Sequence, residues 1–209
     1  FKTDASAQSV ILGIYSNAAA ATNGYITLNN FYAGVSADDI QYNGTDAQYQ
    51  EFASNALTNT NIYAAPMWQQ SYALIKHTNN AISGLNSSNT LSPARKNQFL
   101  GEAKFIRAYA YFYLTNYFGD VPLVVKDDNF VFENALLPRS ATSAVYTQII
   151  DDLTDAQSKL SATYEGTLRG RVNKYAANAL LARVYLYLKD YANAEAQATL
   201  VIGSGTYSL

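Results

Sequence analysis

The stretch from Gly101 to Val125, GEAKFIRAYAYFYLTNYFGDVPLVV, narrows the possible folds more than any other part of this chain. Phe99, Ala103, Ile106, Ala110, Tyr113 and Tyr117 recur at steps of three and four, one face of an α-helix, and Phe105, Tyr109 and Phe112 form a second stripe round its side. A helix apolar over so much of its circumference has to lie between neighbours, so it is the central helix of the fold. Gly119-Asp120 then breaks the period. Pro122 lacks the N–H that an inner helical turn needs, and the chain leaves in an extended path from Val121 to Val125. Glu102 and Arg107 sit inside this helix, where an unpaired charge is costly to bury. Each needs a partner, and Asp151 and Asp152 are the candidates for Arg107.

Around that helix there is enough chain for one sizeable domain, 209 residues. Only 14% of them are charged, against about a quarter in an average domain, while tyrosine and asparagine are abundant. The formal net charge is −2 with lysine and arginine dispersed, which argues against a nucleic-acid partner, since duplex binding wants a clustered basic face. No run of about 18 apolar residues is present to span a membrane as a helix. The absence of cysteine removes disulfides, Cys-based zinc sites and a thiol nucleophile together.

Before the central helix, Val10, Ile11, Ile14, Tyr15 and Ala18 predict a helix over 4–22, with Asp4 a possible N-cap and an end near Asn23-Gly24. From Gly24 to Asn61 the periodicity fades into Asn, Gly, Thr, Tyr and Asp. This reads as a long decorated loop holding a short helix within 46–57, and loops of that length are uncommon unless they have a function. A strong helix follows from Ala64 to Leu85, with Pro66 in its first turn. Ser92-Pro93 provides an N-cap and first position for the central helix. Residues 126–140 read as a loop whose apolar patch, Phe130, Val131 and Phe132, has to lie on a neighbour. Val145, Ile149, Leu153, Ala156 and Leu160 line one face of a helix over 141–160. After the turn region of Gly166 and Gly170 come two more helices, parted at Lys189-Asp190. There Leu181, Ala182, Tyr185, Tyr191, Ala194 and Ala198 match the spacing of a tetratricopeptide repeat, in which small residues let paired helices approach closely. The central helix with 141–160 reads as a degenerate earlier unit, and the first two long helices as another.

EAKFIRAYAYFYL followed by NYFGDVPLV resembles the signature of the SusD/RagB family, glycan-capturing outer-membrane lipoproteins of Bacteroidetes. Glu102, Ala103, Arg107, Ala108, Tyr109, Gly119, Asp120, Val121 and Pro122 carry the likeness. Ser36 to Ile40 (SADDI), Trp68, Tyr72, Ile75 and Asn79 in the pattern W-x3-Y-x2-I-x3-N, and Pro138-Arg139-Ser140 extend it along the chain. The resemblance implies a non-enzymatic, lipid-anchored surface subunit that caps a SusC-like TonB-dependent transporter and hands it glycans. It also implies a full length of roughly twice this one or more. Residues 1–209 would then be a tetratricopeptide-like N-terminal half, with the acylated cysteine and signal outside it.

A search for catalytic groups returns little. His77, the only histidine, lies in a helix between Lys76 and Thr78, and nothing supports a triad around it. Glycosidases need two carboxylates facing each other across a substrate, whereas Asp38-Asp39, Asp127-Asp128 and Asp151-Asp152 are each adjacent and diverge. Gly203 to Gly205 (GSG) lacks the Lys-Ser/Thr and the strand of a phosphate loop. No catalytic residue, metal site or cofactor is expected, which leaves recognition. Tyrosine offers a flat apolar face and a hydroxyl, suited to sugar rings, and Asn, Gln and Asp beside it fix orientation. The glycan-binding candidates are therefore Tyr42, Asn43, Asp46, Tyr49 and Tyr63, with Trp68 a sixth. Each tyrosine is alternatively a plain surface or packing residue, and Trp68, within its helical stripe, is favoured as core.

These observations predict an all-α fold of tetratricopeptide-like stacked helical hairpins, an α-α superhelix with long loop insertions. Glycan capture is the expected function. A tetratricopeptide protein-interaction scaffold without sugar binding is the first alternative, and a helical glycan-active enzyme, lacking an acid/base pair, the second.

Overall fold

A computed structural model describes residues 1–20, 24–166 and 169–207, apart from the side chains of Asp128 and Val131. Its elements run α1 (Asp4–Ala18), α2 (Tyr25–Ser36), α3 (Ala47–Ala53), α4 (Ala64–Asn86), α5 (Pro93–Phe118), β1 (Val121–Pro122), α6 (Val131–Ala135), β2 (Arg139–Ser140), α7 (Thr142–Lys159), α8 (Lys174–Tyr187) and α9 (Tyr191–Ile202). The strands form a two-residue antiparallel ladder, Val121 against Ser140 and Pro122 against Arg139. All other regular structure among the described residues is helical.

Helix α5 lies between α4 and α7, as its apolar circumference requires, and runs antiparallel to both. Lys96 at its start donates to the carbonyls of Asn86 (3.1 Å) and Ser88 (2.8 Å) at the end of α4. Gly101 lies against Leu160 at the end of α7, and a Cβ there would meet Leu160 Cγ at 2.8 Å. This is the close approach that small residues permit in paired helices. Phe99, Ala103, Ile106, Ala110 and Phe112 are buried as the stripes predict. Tyr117 is 40% exposed instead, and Tyr111, in neither stripe, is fully buried at the centre.

The α8–α9 hairpin turns at Lys189, whose φ is +60°, and Asp190 caps α9 by accepting the Asn193 N–H at 3.3 Å. Helix α1 lies along α4, with the Phe1 carbonyl accepting the Ser88 hydroxyl at 2.8 Å, yet the broader interface of α4 is with α5. The cap of α1 is Thr3, in a reciprocal pair with Ser6. Asp4 instead holds the start of α5, accepting the Ser92 N–H at 3.0 Å and its O–H at 2.7 Å. Helix α1 ends at Ala18, earlier than its composition predicts; Asn23 lies outside the described residues.

The main correction concerns residues 24–61, which are not one long loop. Helix α2 buries Tyr25, Asn29, Tyr32 and Val35 at helical spacing. Asn29 interrupts the apolar count, because the stripe holds a polar side chain that accepts the Tyr117 O–H at 2.6 Å. Thr, Asn, Tyr, Phe and Val are also weak helix formers, so tertiary burial rather than propensity makes this helix. Helix α3 falls within the expected 46–57. The patch expected at Phe130, Val131 and Phe132 falls at the start of α6: Phe132 is 82% exposed, the Lys126 ammonium lies 4.6 Å over the Phe130 ring, and the Val131 side chain lies outside the described residues.

Candidate functional site

The GDVP turn positions everything that follows α5. Gly119 adopts φ +68°, a backbone that residues with a Cβ avoid. Asp120 then accepts both the N–H (2.8 Å) and the O–H (2.9 Å) of Thr142, capping α7 from a distance. These bonds hold its carboxyl below the usual range, the Thr142 hydroxyl contributing most. Beyond the turn, the Tyr72 hydroxyl donates to the Pro122 carbonyl at 2.8 Å. The Tyr111 hydroxyl donates to the Val124 carbonyl (2.9 Å) and accepts the Val124 N–H (2.7 Å).

Both charges inside α5 are paired. Arg107 forks onto Asp152, Nε to Oδ2 at 2.7 Å and Nη2 to Oδ1 at 2.6 Å, while Nη1 donates to Asn79 Oδ1 at 2.9 Å. Asn79 Nδ2 donates in turn to the Val124 and Lys126 carbonyls. Of the two partners proposed for Arg107, Asp152 is used and Asp151 is exposed. Glu102 receives Arg171 twice, at 2.6 and 2.9 Å, and Gln98 at 2.9 Å. Every oxygen of these buried carboxylates is thus occupied, Asp152 in joining α7 to α5 and Glu102 in tying the segment before α8 to α5.

The six candidate residues divide by position. Asp46 caps α3 through the Gln48 N–H (2.8 Å) and accepts the Tyr63 O–H at 2.7 Å. That bond is the largest cause of the lowered Asp46 pKa and of the raised Tyr63 pKa. Tyr49 stacks on Tyr63 with ring centroids 4.0 Å apart and lies at 5.1 Å from Tyr42. Beneath them Tyr32 stacks on Phe52 at 4.6 Å. Tyr42, Asn43, Asp46, Tyr49 and Tyr63 therefore do gather in one place, joined by Tyr32 and Phe52 from helices α2 and α3. Asn43 stands exposed next to Tyr42, which is half-buried, and its side-chain amide has no hydrogen bond among the described residues. Trp68 is set apart: Tyr72 and Phe118 pack on its ring at 5.0 and 5.1 Å, and the Arg139 guanidinium lies 5.4 Å from it. A cavity of about 400 Å³ lies elsewhere, walled by α1, α2, α4, α5, Tyr164 and residues 169–172 with Ala176. Sequence reasoning missed both Tyr32, hidden in the unrecognised α2, and this cavity, whose walls are far apart in the chain.

Residues 1–186 match the family described as "Starch-binding associating with outer membrane", of SusD-like type. The chain belongs to the SusD-like family. SusD-like protein P2 of Formosa agariphila is 31% identical over 98% of this chain and 40% of its own length. A SusD superfamily protein of Parabacteroides distasonis superposes with TM-score 0.82 at 27% identity, over 98% of this chain and 46% of that one. A laminarin-binding SusD-like protein gives TM-score 0.81 at 26% identity, over 97% and 44%. This SusD-like chain thus spans about two fifths of the length of the curated relatives it matches, 35% and 40% of the first two. The tetratricopeptide-like architecture is shared with the SusD superfamily structures, and the family is one of carbohydrate binders associated with the outer membrane.

Proposed function

We propose that this SusD-like chain captures glycans at the cell surface without transforming them, as part of a lipid-anchored partner of a SusC-like TonB-dependent transporter. Residues 1–209 act as its tetratricopeptide-like part. The observation that carries the reading is the aromatic cluster packed against helices α2 and α3, with the exposed Asn43 beside Tyr42 on the segment between them. Tyr42 and Asn43 make the sugar contact. Tyr49 and Tyr63, stacked on each other, and Asp46, committed to the Tyr63 hydroxyl, stiffen the platform beneath them. Trp68 serves the core. A laminarin-binding relative of the same fold supports a β-glucan as the first glycan to try. The transporter reading is tested by isolating the outer membrane with a tagged chain: co-purification of a TonB-dependent barrel is expected, and its absence contradicts that part. Native electrophoresis through gels containing laminarin or starch tests capture, with retardation expected in at least one.

A second reading, a protein-binding scaffold without a sugar role, draws on the outer face of α8 and α9. There Leu186, Tyr191, Leu200 and Ile202 are exposed. Retardation by any glycan removes it.

A further inference from the structure

The cavity of about 400 Å³ beside α5 is built for a different ligand from the tyrosine platform, and its chemistry is readable from its walls. Tyr15, Ile26, Leu74, Phe105, Ile106 and Tyr109 make it largely apolar, and its volume lies within the range of small-molecule sites, about 300–1,000 Å³. The wall hydroxyl of Tyr15 is already engaged by the Val172 N–H at 3.1 Å. A pyranose placed there would leave most of its hydroxyls without partners, a cost that argues against a sugar.

The charged side chains linked to the wall residue Arg171 and to Arg169 do not cancel. Arg95 pairs with Glu165 at 2.7 Å, and Arg171 with Glu102 at 2.6 Å and Glu165 at 3.5 Å. Three arginines, counting Arg169, thus face two glutamates. Arg169 lines the cavity, is exposed, and has no carboxylate partner among the described residues. Its guanidinium lies over the rings of Tyr164 and Tyr207, 5.5 and 5.9 Å from their centroids. The hydroxyls of those two tyrosines are hydrogen-bonded at 2.6 Å. The cation is therefore held by flat aromatic surfaces, with no acid on its donors among the described residues.

We propose that this cavity binds an amphiphilic carboxylate, with its apolar body between α1, α2 and α5 and its carboxylate on Arg169. The site is independent of the glycan platform. Calorimetry of the 209-residue chain with decanoate and with its neutral twin, 1-decanol, below their aggregation concentrations, tests it. Decanoate is expected to bind one to one, at least about tenfold more tightly than the alcohol, with an advantage that shrinks as salt screens the pair. Arg169→Gln should reduce decanoate to the affinity of the alcohol. Ala19→Trp, at an exposed wall position, should remove both while the circular dichroism spectrum stays helical. Failure of decanoate to bind, equal affinities for acid and alcohol, or indifference to both substitutions would each overturn the assignment.

Discussion

Arg107 and Asp152 meet across the α5–α7 interface as a two-bonded fork, 2.7 and 2.6 Å, with side chains 7% and 2% exposed. Asn79 on α4 takes a third donor of the same guanidinium. One arginine therefore ties three helices and, through Asn79, the extended segment after α5. Removing one member of a buried pair leaves the other charge uncompensated, at about 3–5 kcal/mol. Asp152→Ala should lower Tm by roughly 10 °C in thermal denaturation. Asp151→Ala, one residue away and exposed, should change stability by less than about 0.5 kcal/mol. Equal effects of the two would contradict the pairing.

Tyr111 clamps Val124 by both backbone groups, so Tyr111→Phe keeps the ring and strands the partly buried Val124 N–H, while Asn79 still serves the carbonyl. A loss of about 1–3 kcal/mol is expected in chemical denaturation. Amide exchange should locate the change at Val124, with the α8–α9 hairpin unaffected.

Gly101 lies against the end of α7, and Leu160 fills the space a side chain would need. Gly101→Val should cost about 1–3 kcal/mol by overpacking. Combined with Leu160→Ala, it should cost less than the sum of the two single changes, because the second makes room for the first.

The Asp46–Tyr63 bond carries a pH signature. The folded-state pKa of Asp46 is depressed, so its stabilisation is present above the unfolded value, about 3.9, and is lost as pH falls through the folded value. The stability gap between the wild-type chain and Asp46→Asn, followed by near-ultraviolet circular dichroism, should therefore be constant near neutrality and shrink below about pH 4. A gap unchanged down to pH 2 would contradict the assignment.

Much of the fold was legible because burial wrote itself as period. The stripes of α1, α4, α5 and α7, the break at Lys189-Asp190 and the GDVP exit are all local patterns. Asp152 was legible too, since a charge inside an apolar helix demands a partner near at hand. Arg171, the partner of Glu102, lies 69 residues further on, and no local pattern points to it. Helix α2 was obscured by Asn29, a polar residue that is buried because Tyr117 reaches it. Of Tyr42, Asn43, Asp46, Tyr49 and Tyr63, anticipated as loop residues, only Tyr49 lies within a helix; Tyr42 and Asn43 precede α3, Asp46 caps it and Tyr63 precedes α4. The helices contribute Tyr32, Tyr49 and Phe52, against which the loop tyrosines pack, and no local pattern signals that packing.

Isothermal calorimetry of the 209-residue chain with laminarin and soluble starch, beside the Tyr42→Ala/Asn43→Ala variant, addresses glycan capture most directly. The account predicts saturable heat with at least one of the two, weakened about tenfold or more in the variant while its circular dichroism spectrum stays helical. No heat with either polysaccharide, or undiminished binding by the variant, would contradict it.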